Sequence, residues 1–426
     1  MCPEAPARPA IAEPGIAVHP ARSKARYLRR VGAEWRTHWR VGLAALLGSA
    51  VSYPVWPAVS SLFVLPMQKA FGWSRGEVAF AFNASFLAGI CAPVFGRLID
   101  RVGVRSLLIV GLLTTTGFYA ALAAMKGSLL VYYVLFALFT VCALPTTGMS
   151  YTRIVNAAFL DTRGLALALT RSGYAASSAL LAPLLFWVIT RWGWRAGYLT
   201  LAGLMAAIAL PLAVAFVHDR PIRAGSPAAS PRLMRALLLD RKVWLFCFAT
   251  ALNYAPILAI LTQLQPLLVE RGLAPATAAT LVGLTGLAAL AGTAVSGALL
   301  DRIGGRFVGF AFSLTAAAGS LLLIEGAPGR GIVAAAVLLI GLGQGAEIDV
   351  GAYLAARHFG LRDYSTVYGL STLCIAIMTG AAVPLMGRIR DLNGDYGLGL
   401  GVAAAGLAGA GLCYLALGRQ SEPTAN

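Results

Sequence analysis

Three charged side chains lie in this sequence where only hydrocarbon is expected. Glu347 and Asp349 are two residues apart in "GLGQGAEIDV" (Gly341–Val350), and Arg171 lies in a second apolar stretch, eight residues past Arg163. A charge near the centre of a bilayer costs on the order of 2.5–3.5 kcal/mol on insertion scales, so each needs a cavity or a partner. A guanidinium can hold a carboxylate through two parallel hydrogen bonds. A carboxyl group in apolar surroundings favours its protonated form and so can carry a proton. Capture of an organic acid and movement of a proton are the chemistry these residue types offer.

Residues at i and i+2 of a helix project about 200° apart, so Glu347 and Asp349 cannot share a face. One is expected to face a central cavity and the other packed protein, with Glu347 as the candidate proton carrier and Asp349 as the alternative. Arg171 has two compatible readings, a site for a substrate carboxylate or an ion pair with Glu347 or Asp349. His19, His38, His218 and His358 all fall outside the apolar core and cannot take the proton role. Tyr53 and Trp56, beside Pro54 and Pro57, are further candidates for binding, as are Asn253, Tyr254, Gln263 and Gln265. Tyr353, four residues after Asp349, shares its face and can bond the same ligand. Asn83, Thr146 and Thr147 complete the polar residues of interest. The glycines of "GLGQGA" follow no strand, so they read as points of close helix approach rather than a nucleotide loop.

The elements that must position these groups follow from composition. The 426 residues are 58% hydrophobic and only 12% charged, with six cysteines in no metal-ligand spacing. Soluble proteins carry about 25% charged residues. A multi-span membrane protein is implied, with no cofactor, metal or nucleic acid. Twelve apolar runs can each cross about 30 Å of hydrocarbon: 41–67, 78–98, 106–125, 128–149, 165–190, 196–217, 243–268, 277–300, 307–325, 331–355, 364–387 and 396–418. The N-terminal tail, the even-numbered loops and the C-terminal tail hold 24 of the 34 basic residues and the odd-numbered loops hold 9. That bias predicts cytoplasmic termini.

Five segments result: a tail 1–40, a six-helix bundle 41–217, a linker 218–242, a second bundle 243–418 and a tail 419–426. The first 40 residues lack a secretory h-region. Tyr27, Leu28, Val31, Trp35 and Trp39 alternate with arginines at helical steps, predicting a short amphipathic helix on anionic headgroups that leads into the first span.

"GRLIDRVGVR" (Gly96–Arg105) and "GALLDRIGGR" (Gly297–Arg306) are 201 residues apart in corresponding loops. The halves therefore read as parallel repeats. This pattern, G-x-L-x-D-R-x-G-x-R, resembles the signature loop of the major facilitator superfamily. The resemblance implies an all-α membrane fold of twelve helices in two six-helix repeats. It also implies gating roles for Gly96, Asp100, Arg101, Gly103 and Arg105, and for Asp301, Arg302 and Arg306, with Asp100 docked on the eleventh helix. Three more stretches resemble the bacterial branch that is similar to monocarboxylate transporters and oxalate/formate antiporters: "FGWSRGEV", "RGLALALTRSG" with "GWRAGY", and "GQGAEIDVGAYLAARHFG" with "VYGL". Unlike many carriers of that branch, this chain has no Lys or Arg within its eighth or eleventh helix.

What these residues imply is a transporter rather than an enzyme, functional as a monomer in a bacterial inner membrane and working by alternating access. The expected cargo is a small organic anion, a mono- or dicarboxylate, moved with protons. An exporter of drugs or siderophore-like compounds is the alternative, and a membrane enzyme or sensor would need catalytic or signalling elements that the spans lack.

Overall fold

Apolar helices alternating with short glycine turns build the whole of the structure, a computed structural model that describes residues 24–159, 162–218, 237–324 and 329–418. Among the described residues, nine helices are long and apolar enough to cross a membrane. They are Arg75–Ile99, Val104–Ala124, Leu165–Phe216, Arg241–Thr262, Pro275–Leu300, Gly305–Leu322, Arg330–Gly360, Thr366–Asn393 and Gly397–Ala416. Leu165–Phe216 is two spans, the fifth and sixth, because Gly193 (φ 82°, ψ 170°) turns the chain within it.

The first and fourth spans are broken helices. The first runs through Lys24–Val51, Val55–Val59 and Ser61–Phe71, interrupted beside Pro54. The fourth runs through Leu129–Cys142 and Gly148–Ala158, with a 3-10 turn containing Pro145 between them. A proline has no N–H to continue the hydrogen-bond ladder, which accounts for both breaks. The protein is thus an all-α membrane protein of twelve spans.

Backbone conformation carries the internal repeat as clearly as the sequence does. Gly103 (φ 98°) turns the chain between the second and third spans, and Gly304 (φ 83°), 201 residues later, does so between the eighth and ninth. Side chains other than hydrogen rarely tolerate that region. Between the second and third elements of each half the chain must reverse within one residue, and glycine permits it.

The halves meet through small residues. A Cβ on Gly286 of the eighth span would lie 1.7 Å from Ser178 Oγ of the fifth. Within the second half, a Cβ on Gly345 would lie 1.8 Å from the carbonyl oxygen of Ala289. The glycines of "GLGQGA" therefore serve close helix approach, as their setting in an apolar span predicts.

Residues up to Trp39 are helical and continuous with the first span in Lys24–Val51. Trp35 packs against Phe159, ring centroids 4.8 Å apart and tilted by 44°, and Glu34 accepts hydrogen bonds from the Thr162 N–H (2.9 Å) and hydroxyl (2.7 Å). This face of the helix is held by the connection between the fourth and fifth spans. The side chains of Tyr27, Leu28 and Val31 lie outside the described residues, as do residues 219–236 of the linker and the tail 419–426.

Candidate functional site

A cavity of about 340 Å³ lies on the seam between the halves. The first, second and fourth spans line it from one side, and the seventh, tenth and eleventh from the other. Glu347 is part of its wall and is only 7% exposed. Among the described residues it makes no hydrogen bond or ion pair. A buried carboxyl without a partner is costly in its ionised form, so this group is suited to holding a proton.

Asp349, on a different face of the same helix, forms an ion pair with Arg171, Oδ1 to Nη1. The pair joins the tenth span to the fifth, one half to the other. It is only partly buried in protein, with the Arg171 side chain 44% and the Asp349 side chain 21% exposed. Tyr368 of the eleventh span also lines the cavity. Its ring stacks on Tyr364 at 5.5 Å.

The remaining candidates divide sharply. Tyr53 and Tyr254 line the cavity, as does Thr140, whose hydroxyl donates to the Phe136 carbonyl. Trp56 does not line it: it is 2% exposed within an aromatic cluster that includes Phe63, Phe136 and Tyr198. Asn253 donates to Ser313 Oγ at 2.6 Å, tying the seventh span to the ninth. Gln263 sits at the break after Arg241–Thr262 and accepts from the Tyr396 hydroxyl at 3.0 Å, away from the cavity. Tyr353 packs near Gly305 and lies under the Arg357 guanidinium, so sharing a helical face with Asp349 does not bring it to the pair. Thr146 and Thr147 bond carbonyls of their own turn, and Asn83 lies beside Gly380.

In the signature loops, Gly103 makes the turn, whereas Gly96 lies inside the helix Ser85–Val102 with open space where a Cβ would be. Arg105 donates to the Val214 carbonyl at 2.8 Å, a main-chain anchor at the end of the sixth span. Arg101 and Arg302 are exposed, and Arg306 lies over the Phe307 ring at 4.4 Å. The Asp100 and Asp301 side chains lie outside the described residues.

Sequence reasoning missed a second polar centre, at the membrane face opposite the chain ends. Arg75, only 5% exposed at the start of the second span, bonds Glu270 at 2.7 Å and the Tyr396 hydroxyl at 2.6 Å. Arg390 reaches the same Glu270 oxygen at 2.7 Å. The main-chain N–H groups of Arg75 and Gly76 donate to the Asp391 carboxylate at 3.2 and 2.7 Å, placing it at the positive end of a helix. The Ser74–Glu77 capping box fixes that helix end. The contacts of Arg75 with Glu270 and Tyr396, and of Asp391 with the Arg75 and Gly76 main chain, cross between the halves on this face. The signal was available: Arg75, Glu270, Arg390 and Asp391 are opposite charges at the same ends of spans in different halves. Counted only as loop charges, they carry no such meaning.

A family model described as Major Facilitator Superfamily matches residues 41–384. Monocarboxylate transporter 13 of Bos taurus is 26% identical over 386 residues, covering 88% of this chain and 88% of that protein. The 3-(3-hydroxy-phenyl)propionate transporter of Escherichia coli (strain K12) is 26% identical over 251 residues, 55% of this chain and 58% of that protein. Among solved structures, the nucleoside transporter NupG superposes with a TM-score of 0.68 at 13% identity, covering 88% of this chain and 98% of that one. A bacterial homolog of the human lysosomal transporter Spinster, inward-facing and occupied, gives 0.67 at 14%, covering 92% and 99%. At such identities the structural likeness concerns fold alone.

Proposed function

The chain belongs to the major facilitator superfamily and is a membrane transporter, not an enzyme, and from that premise we propose that it carries a small organic anion, a mono- or dicarboxylate, coupled to protons. One observation carries this reading: an Arg171–Asp349 ion pair bridges the halves beside a cavity whose wall holds the unpartnered Glu347. A guanidinium held by an internal carboxylate is a site that an external carboxylate can take over by exchange. Relatives named for monocarboxylates and for hydroxyphenylpropionate support the same class of cargo.

In the proposed cycle the two halves rock about the cavity. The Arg75–Glu270–Arg390 cluster and the Asp391 contact hold one face shut while the cargo reaches Arg171 from the other. A proton on Glu347 removes the one buried negative charge of the cavity wall, so the anion and the proton stabilise each other's binding. The excess of Lys and Arg on the face of the chain ends supports a cytoplasmic orientation of that face, in the proposed setting of a bacterial inner membrane. One chain supplies both halves, so a monomer suffices, and the basic residues before Trp35 favour anionic lipid.

A second reading, export of drugs or siderophore-like compounds, is favoured by one feature. Among the described residues lining the cavity there is a carboxyl but no Lys or Arg, and a cation would pair with Glu347. Counterflow with Arg171→Gln separates the two: the anion reading expects carboxylate exchange to be lost. Carboxylate exchange that persists, with a cationic drug carried as well, would overturn it.

A further inference from the structure

We infer that the cargo is a monocarboxylate with an aromatic or bulky apolar body, bound head-out, with its carboxylate at Arg171 and its body in the cavity between the halves. The inference rests on the organic-anion reading and narrows it. The cavity, about 340 Å³, has room for many waters. Acetate or formate would displace only a small part of that water.

The walls fit an apolar body. Pro57, Phe82, Leu144, Leu258 and Ile375 face the space from both halves. Tyr53, Tyr254 and Tyr368 add ring faces with a hydroxyl each, which suits an aromatic ring carrying a hydroxyl or none. The charge must sit elsewhere, because the cavity offers an anion no cation and Glu347 repels one when ionised. The Arg171–Asp349 pair supplies the cation: Asp349 lies on the tenth span between Glu347 and Gly351, which both line the cavity. A dicarboxylate is disfavoured by the same geometry: with one carboxylate at Arg171, the second would be buried beside Glu347 among hydroxyls, with no Lys or Arg of the described lining to pair with.

The seam between the second and eleventh spans keeps this volume open through small side chains. Ala88, Ala92 and Ala376 line it, and the spans are so close that a Cβ on Gly89 would lie 2.6 Å from the Ala376 Cβ. Longer side chains at Ala88 or Ala92 project into the space the body would fill.

The test uses the full chain in proteoliposomes, with radiolabelled 3-phenylpropionate, acetate and succinate. The inference expects a half-saturating concentration for 3-phenylpropionate at least tenfold below that for acetate, and no uptake of succinate. Ala88→Leu should lower the preference for phenylpropionate over acetate at least tenfold. If that variant does not fold, Ala92→Val is read instead, with folding checked by thermal melting in detergent. Acetate or succinate carried as well as phenylpropionate overturns the inference and leaves the anion reading standing, as does an unchanged preference in a folded variant. No movement of any of the three acids overturns both.

Discussion

Exchanging Asp349 for Asn, and separately Arg171 for Gln, sets the two roles of the ion pair against each other. A pair as exposed as this one, 44% and 21%, is worth about 0.2–1 kcal/mol. Asp349→Asn keeps the shape and releases that energy to a competing ligand, so carboxylate affinity should rise about 1.4- to 5-fold. The gain should shrink as salt is raised, since exposed charges are screened over about 10 Å at 0.1 M. Arg171→Gln removes hydrogen bonds to a charged group, worth about 1.5–3 kcal/mol, and should weaken binding about tenfold to 150-fold.

Equilibrium binding of 3-phenylpropionate by tryptophan fluorescence in detergent reads both changes, and the double variant decides between the roles. If Arg171 only pairs with Asp349, removing both charges restores a neutral contact, and binding and transport return. If Arg171 holds the cargo, the double variant stays as weak as Arg171→Gln alone. Unchanged affinity in Arg171→Gln would refute the reasoning outright.

Three other outcomes are expected. Glu347→Gln, which mimics the protonated acid, should abolish accumulation driven by a pH gradient while counterflow exchange continues; gradient-driven accumulation in this variant would remove Glu347 from the coupling role. Asp391→Asn weakens two main-chain hydrogen bonds to a charged group, each worth about 1.5–3 kcal/mol. The closed face should open more often, raising the labelling rate of a cysteine introduced beside Gln68 at least tenfold, and an unchanged rate would mean that these bonds do not hold the face shut. Gly345→Ala forces a methyl group to within 1.8 Å of the Ala289 carbonyl unless the eighth and tenth spans part. Overpacking of that kind costs about 1–3 kcal/mol and should lower the melting temperature in detergent by several degrees; an unshifted melt would show that the spans separate freely.

The fold was legible because its signals are local and repeated. Apolar length marks the spans, and the two copies of the D-R-x-G loop lead directly to the turns at Gly103 and Gly304, whereas the break at Pro145 emerged only from the structure. The site was legible only in part. Helical geometry separates Glu347 from Asp349, but it does not say which of them faces Arg171; that depends on how the fifth span is rotated against the tenth. Polar residues within a span were a weaker guide. Asn253 and Gln263 look like ligands in sequence, yet each satisfies a neighbouring helix, whereas Tyr254, adjacent to Asn253, faces the cavity. One helical step, about 100°, decides the matter, and sequence position alone does not fix it. Arg75 and Asp391 were invisible for another reason: they are over 300 residues apart, and only the meeting of the halves joins them.

Uptake of labelled carboxylates into proteoliposomes under an imposed pH gradient tests the central claim most directly, with a panel of cationic drugs as the control. The account predicts accumulation of a monocarboxylate above its equilibrium level, driven by the gradient and lost in Arg171→Gln. Transport of a cationic drug with no movement of any carboxylate, unaffected by that substitution, would contradict it.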